Sequence, residues 1–198
     1  MISCLLLAAG LSSRFGSPKA LAGISGKPAI VILQEKLTAS CVDAITIVLG
    51  AHCEVIKPHL LNHKKIATVY NKDYLLGQTS SFQAGLRYLP QKTTGIMLLP
   101  VDYPFIEQKT FDQLVDSFVS QSPLFLIPTY KRQKGHPPIF SITLKPKFLK
   151  LNQSQGINSV IWKNQSSGVF FPVDDPGVVK NFNTREELSQ LLRPERHS

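Results

Sequence analysis

An α/β protein follows from three features of the chain. Short apolar runs of strand length alternate with segments whose apolar residues recur at helical spacing, as in repeated βαβ units. The run Ile2 to Ala9 is continuously apolar except for Ser3, the pattern of a strand buried on both faces of a parallel sheet. At 198 residues the chain suits one domain, 1–198, with an adequate core, and no linker of any length divides it.

The elements can be taken in order. Gly10 ends the first strand, and a loop then runs to Lys19. Ile30, Leu33 and Leu37 share one helical face, and 44–49 (AITIVL) is a strand. A weaker helix, interrupted by Pro58, is expected over 52–61, and a short strand over 67–70. Over 80–89, Phe82, Leu86 and Leu89 mark a helical face, with Ser80 and Gln83 spaced as a capping box. A buried strand over 96–99 precedes a helix carrying Phe111, Leu114, Val115 and Phe118, and 124–128 reads as another strand. Thr184 and Glu187 are spaced as a second capping box before Leu188, Leu191 and Leu192 of a C-terminal helix, and 194–198 reads as a frayed tail.

Composition narrows the function classes. Lys and Arg number 22 against 13 Asp and Glu, a formal charge of +9, yet the cations are dispersed. The densest group is Lys131, Arg132 and Lys134 beside Tyr130, which falls short of the basic stripe with interleaved aromatics that a nucleic-acid binder presents. A positive field equally favours encounter with small polyanions. No hydrophobic span of membrane length occurs, and MISCLLLAAG lacks the cationic start of a signal peptide. Cys4, Cys41 and Cys53 form neither an even set nor a C-x-x-C pair, so a reducing cytoplasm is the expected setting.

The loop after the first strand carries the chemistry. It offers Gly10 and Gly16, hydroxyls at Ser12, Ser13 and Ser17, and cations at Arg14 and Lys19. Small residues let backbone N–H groups approach a phosphate, and the cations neutralise it. A P-loop is excluded because Gly16 is followed by Ser17 rather than lysine, and a dinucleotide fingerprint because Gly10 has no glycine two residues on. Taken alone, the loop also reads as a turn with solvated cations. Asp102, between Pro100 and Pro104 at the end of the 96–99 strand, stands where open α/β sheets bind ligands, although a lone aspartate there also reads as a cap or turn residue.

LLLAAGLSSRFGSPKAL (5–21) resembles the signature LAAGxSxRMGxxKxL of the nucleotidyltransferases related to molybdenum-cofactor cytidylyl- and guanylyltransferases, with Phe15 in place of Met. The resemblance implies a three-layer α/β/α Rossmann-like fold with a mostly parallel mixed sheet, of the nucleotide-diphospho-sugar transferase type. It also implies that Leu7, Ala8, Ala9 and Gly10 line the nucleotide, with Arg14 and Lys19 against its phosphates as catalytic cations. LLPVDYPFI (98–106) resembles the segment whose GDMP aspartate binds magnesium, which implies Pro100 beside the nucleotide and Asp102 as catalytic metal ligand, with Val101 replacing Gly. NKDYLLGQTSSFQAGL (71–86) resembles the run that starts a helix beside the nucleotide, implying roles for Asn71, Gly77, Ser80 and Ser81.

KGHPPIF implies that Gly135, His136 and Pro137 meet the acceptor, within an acceptor side formed by roughly 130–180, although His136 alone also reads as an exposed surface residue. NFNTREEL (181–188) resembles DIDTPEDL, which closes the metal site; both aspartates are asparagines here, so the implied magnesium site is Asp102 with Asn183. Gln155-Gly156-Ile157-Asn158 lacks the arginine of the usual Gly-Ala-Arg. The implied reaction is attack of an acceptor phosphate on the α-phosphate of a nucleoside triphosphate, releasing pyrophosphate. Ala9 in LAAG resembles the members that take CTP, so molybdopterin is the implied acceptor and molybdopterin cytosine dinucleotide the product, for delivery to a molybdenum hydroxylase apoenzyme. Two rivals are a sugar- or polyol-phosphate nucleotidyltransferase and a non-catalytic nucleotide- or cofactor-binding maturation protein of the same fold.

Overall fold

A computed structural model describes residues 1–152, 155–162 and 165–193. Strand β1 (Ile2–Ala8) leads through the loop to a small antiparallel hairpin, β2 (Gly23–Ile24) and β3 (Lys27–Pro28). Then come α1 (Ala29–Ala39), β4 (Ala44–Leu49), α2 (Cys53–Ile56), β5 (Ile66–Tyr70) and α3 (Gln78–Arg87). They are followed by β6 (Gly95–Pro100), α4 (Gln108–Gln121), β7 (Phe125–Tyr130), β8 (Gln133–Lys134) and β9 (Ile139–Ser141). The C-terminal part holds α5 (Lys145–Leu149), α6 (Asn158–Trp162), β10 (Gly168–Pro172) and α7 (Arg185–Leu191).

The main sheet runs β10-β7-β9-β6-β1-β4-β5, with β8 paired to β7. β1 pairs parallel with β4 and β6, and within this sheet only the pairs made by β9 and β8 are antiparallel among the described strands. The sheet is therefore mixed and mostly parallel. Its two faces can be read from β1 alone. Cys4, Leu6 and Ala8 enter a core shared with Ile30, Leu33 and Leu37 of α1 and with Phe111, Leu114 and Phe118 of α4. Leu5, Leu7 and Ala9 enter the opposite core with Phe82 and Leu86 of α3 and Phe148 of α5. The two-residue period of a pleated strand thus sorts one apolar run into two helical layers, giving the three-layer α/β/α arrangement.

Local differences from the sequence reading have physical causes. The 52–61 segment makes only the short α2 and a 3-10 turn at Lys57–His59, because Pro58 cannot donate into a continuing helix. Ser80 does not cap α3. The helix starts two residues earlier, after Gly77 at φ +88, and Gln83 spends its amide on the carbonyls of Phe148 and Leu151. Thr184 does cap α7, accepting from the Glu187 N–H at 3.2 Å, but the Glu187 carboxylate reaches one residue further back, to the Asn183 N–H at 2.6 Å. The sequence pattern does not predict β8, β9 and β10, which are two to five residues long and interleaved with Gly and Pro. The expected tail at 194–198 lies outside the described residues.

Candidate active site

The carboxyl ends of β1 and β6 open into a cavity of about 450 Å³. Leu7, Ala8, Ala9 and Gly10 wall it from β1, Pro100 and Asp102 from β6, and Gly77 and Ser81 from the start of α3. β1 and β6 are in register, Leu7 opposite Pro100, and the Val101 N–H continues the ladder to the Leu7 carbonyl at 3.1 Å. The loop and Asp102 therefore leave the sheet side by side. Val101 also lines the cavity, but its side chain is buried in the α1/α4 core. The positive end of α3 faces the same space, a favourable setting for an anion.

At the cavity mouth three sequence-distant segments converge. The Lys19 ammonium donates to Asp102 Oδ2 at 2.8 Å and to Asn183 Oδ1 at 3.3 Å, and Arg14 Nη2 donates to the same Asn183 Oδ1 at 3.2 Å. Ser12, at φ +54, shapes the loop from within: its carbonyl accepts from the N–H groups of Phe15 and Gly16 and its hydroxyl from the Lys19 N–H at 3.0 Å. Lys36 of α1 braces the segment after Asp102 by donating to the carbonyls of Pro104 and Ile106, and burial pushes its ammonium below the usual lysine range.

The C-terminal segment fastens the loop down. Phe15 is buried against Phe182, ring centroids 5.4 Å apart, in a third small core with Ala22, Ile24 and Leu188. Arg185 lies over the Phe15 ring and donates from Nε to the Phe15 carbonyl and from Nη2 to Ser17 Oγ, both at 3.3 Å. Nothing in sequence spacing joins 15 to 185. The only cue was that arginine stands where the resembled DIDTPEDL has proline.

Asn71 is buried behind the cavity. Its amide donates to Ser80 Oγ and Ser81 Oγ at 3.0 and 3.1 Å and accepts from the Asp73 N–H, so Asn71 and Ser80 hold the turn into α3 while Ser81 reaches the cavity wall. Ser80 also donates to the carbonyls of Asp73 and Gly77.

A second cavity, about 390 Å³, adjoins the first across Gln78, Tyr103 and His136, which line both. Its wall mixes apolar and aromatic side chains, among them Phe140, Ile161, Trp162 and Phe170, with the polar Gln78, Thr79, Lys134 and Asn158, and Gly135 borders it. Lys134 projects over the Phe170 and Trp162 rings, 4.6 and 5.1 Å from their centroids, whereas Lys131 and Arg132 occupy the β7–β8 turn at positive φ. The basic trio of the sequence is thus divided between cavity and turn. Gly135 is required by a close approach: a Cβ there would stand 2.6 Å from the Val178 carbonyl oxygen, and Val178 is held by the neighbouring His136 N–H. Pro137 follows His136 through a cis peptide bond.

The Tyr103 and His136 rings meet at a tilt of 39°, with centroids 4.4 Å apart. Burial holds the imidazole below its ordinary range despite the opposing pull of Asp102, so His136 is neutral at pH 7. Burial, and then the Asp102 charge, push the Tyr103 phenol up to about 12, leaving it a proton donor. His136 Nδ1 and Asp102 Oδ1 are both buried with no hydrogen-bond partner among the described residues.

That orphaned carboxylate oxygen tests whether a divalent cation fits. Among the described residues no three His, Cys, Asp or Glu side chains gather as a complete metal site. Magnesium does not need one, since it commonly takes one or two protein oxygens with substrate phosphates and water. A free Asp102 oxygen and the Asn183 amide oxygen make an oxygen donor pair suited to a hard cation, and the Lys19 ammonium lodged between them shows that a positive charge is accommodated there.

Residues 4–167 match the MobA-like NTP transferase domain family. Among curated proteins, none matches the chain in sequence. Among solved structures, Rv0371c from Mycobacterium tuberculosis H37Rv superposes with a TM-score of 0.84 at 21% identity, over 96% of this chain and 97% of that one. It has also been solved in complex with manganese, with a TM-score of 0.78. 4-diphosphocytidyl-2C-methyl-D-erythritol synthase from Anaerococcus prevotii gives 0.74 at 16% identity over 98% and 96%. Molybdopterin-guanine dinucleotide biosynthesis protein A from Archaeoglobus fulgidus gives 0.68 at 17% over 95% of each chain. At these identities the likeness is one of fold.

Proposed function

The chain belongs to the MobA-like NTP transferase domain family and is a nucleotidyltransferase, and from that premise we propose that it is a CTP:molybdopterin cytidylyltransferase, acting as one unit over 1–198. The observation that carries the reading is the meeting of Lys19, Asp102 and Asn183 at the mouth of a cavity that opens directly onto a second one. Two polyanions must be brought together for phosphate to attack phosphate, and the two adjoining spaces serve one each.

In this reading the triphosphate lies on the first cavity, along Leu7 to Gly10, with Gly77, Ser81 and Pro100 beside the nucleoside and Asn71 and Ser80 holding their loop in place. Arg14 and Lys19 bind the β- and γ-phosphates and neutralise the charge that develops on the leaving pyrophosphate. Asp102 and Asn183 would hold Mg²⁺, which when bound withdraws charge from the phosphate oxygens. The acceptor enters past Gly135, His136 and Pro137. Neutral His136 and protonated Tyr103 orient its phosphate at the junction without adding charge. The acceptor phosphate is already ionised, so no side-chain nucleophile is needed.

Ala9 in LAAG supports CTP over GTP, by resemblance to the members that use it. The aromatic side of the second cavity, with Phe140, Trp162 and Phe170, supports a flat heterocycle such as molybdopterin as the acceptor, and Gln78, Thr79 and Asn158 on the same wall could hydrogen-bond its edges. The product would be molybdopterin cytosine dinucleotide, handed to a molybdenum hydroxylase in the cytoplasm. No described helix is long and apolar enough to cross a membrane.

The test is pyrophosphate release by purified protein with Mg²⁺ and each of CTP, GTP, ATP and UTP, with and without molybdopterin. CTP-specific, molybdopterin-dependent release supports the proposal. Release that instead requires a sugar or polyol phosphate would replace the acceptor, and nucleotide binding with no release under any acceptor would mark a carrier.

A further inference from the structure

Lys19 occupies an unusual place for a phosphate-binding lysine. Its ammonium is not aimed into open solvent but lies between the two side chains suited to hold a divalent cation, 2.8 Å from Asp102 Oδ2 and 3.3 Å from Asn183 Oδ1. Arg14 shares the same Asn183 oxygen at 3.2 Å. The Lys19 and Asp102 side chains are 20% and 14% exposed, so the contact is shielded from bulk water. Asn181 and Asn183 supply no charge; with Glu187 on the Asn183 N–H and Arg185 on the loop, the charged groups that meet here are Arg14, Lys19 and Arg185 against Asp102 and Glu187, a net positive cluster.

A free divalent cation approaching this cluster meets net repulsion and must displace an ammonium from the only carboxylate on the described cavity wall. A triphosphate meets the opposite field. Its oxygens can accept from Lys19 and Arg14, and in drawing Lys19 away they release Asp102 Oδ2 to join the already unpartnered Oδ1. We propose that Lys19 is a built-in stand-in for the metal: it closes the cation position in the nucleotide-free protein, so that the metal binds only together with the triphosphate. The inference rests on the reading of this cavity as the nucleotide and metal site, and it adds an order of events and a second task for Lys19. Asn at 183 in place of Asp is part of the device, because a second carboxylate would restore a site attractive to the bare ion.

The order can be read without turnover. Free Mn²⁺ is followed by electron paramagnetic resonance during titration into the full chain, first without nucleotide and then with CTP, while CTP binding is measured separately by calorimetry. Wild-type protein is expected to show no saturable Mn²⁺ uptake alone and, relative to a protein-free titration of CTP, one further equivalent of tightly held Mn²⁺ with CTP. Lys19→Met, which keeps the apolar stem, and Asn183→Asp, which keeps the shape, should each bind Mn²⁺ without nucleotide at least about tenfold more tightly than wild type. Circular dichroism confirms that both variants are folded. Saturable Mn²⁺ binding by the nucleotide-free wild type, unchanged in both variants, overturns the inference while leaving the nucleotide site intact. Failure of CTP and of every other triphosphate to bind, with or without Mn²⁺, overturns the site reading itself.

Discussion

Replacing Asp102 by asparagine removes one charge and almost no volume, and it separates the structural from the chemical task of that side chain. Exposed ion pairs contribute up to about 1 kcal/mol, and removing one partner of a buried pair costs about 3–5 kcal/mol. Side-chain exposures of 20% for Lys19 and 14% for Asp102 put their 2.8 Å pair between these limits, near 2 kcal/mol. For a chain of this length that lowers the melting temperature by about 4–8 °C, leaving the variant folded at 25 °C. Turnover should fall much further. Asp102 is the only carboxylate on the described wall of the first cavity, and a neutral amide is a poor substitute as ligand to a hard cation. A loss of about 4 kcal/mol in transition-state stabilisation corresponds to roughly a thousandfold in rate. Pyrophosphate release at saturating CTP and Mg²⁺, beside a thermal melt of the same preparation, measures both quantities. Asp102→Asn turning over within about tenfold of wild type would refute the assignment of the charge to the chemistry.

Other expectations follow from single contacts. Arg185→Ala frees the loop from the C-terminal segment by removing both 3.3 Å hydrogen bonds, and it should raise KM for CTP about tenfold with kcat little changed; an unaltered KM removes Arg185 from the positioning of the loop. Gly135→Ala would put a Cβ 2.6 Å from the Val178 carbonyl oxygen and should destabilise by about 1–3 kcal/mol in urea unfolding, whereas an unshifted midpoint would mean that the backbones have room to part. The His136 imidazole has a lower pKa folded than unfolded, so the unfolded chain binds more protons on the acid side. Its contribution to stability is therefore complete above about pH 6.5 and is lost as pH falls through the lower folded value. His136→Gln should flatten that acid limb, and an identical slope in the variant would show that another group titrates there.

Much of the framework could be read before any coordinates. The Ile2 to Ala9 run gives a strand covered on both sides because it offers apolar residues at both parities, and Leu5 and Leu6 do enter opposite cores. Phe111, Leu114, Val115 and Phe118 give the buried face of α4 for the equally local reason that 3.6 residues complete a turn. The short late strands were not legible: two or three residues carry too little periodicity, and β9 is a strand only because β6 and β7 offer it edges on both sides.

The candidate site divides along the same line. Sequence alone determined which residue types were available: a loop with Arg14 and Lys19, one carboxylate after a buried strand, a glycine before His136, and asparagines where the resembled motif has aspartates. These are properties of composition and local spacing, and it is the resemblance of their joint pattern to a known family that implies a phosphate-handling enzyme. Tertiary structure alone decided who meets whom. That Lys19 lies between Asp102 and Asn183, that Arg185 pins Phe15, and that Tyr103 and His136 stand at the junction of two cavities are contacts across some 30 to 170 residues of chain. Such contacts leave no trace in local propensity, because they depend on the parallel register of β1 with β6 and on where the C-terminal segment returns to the sheet.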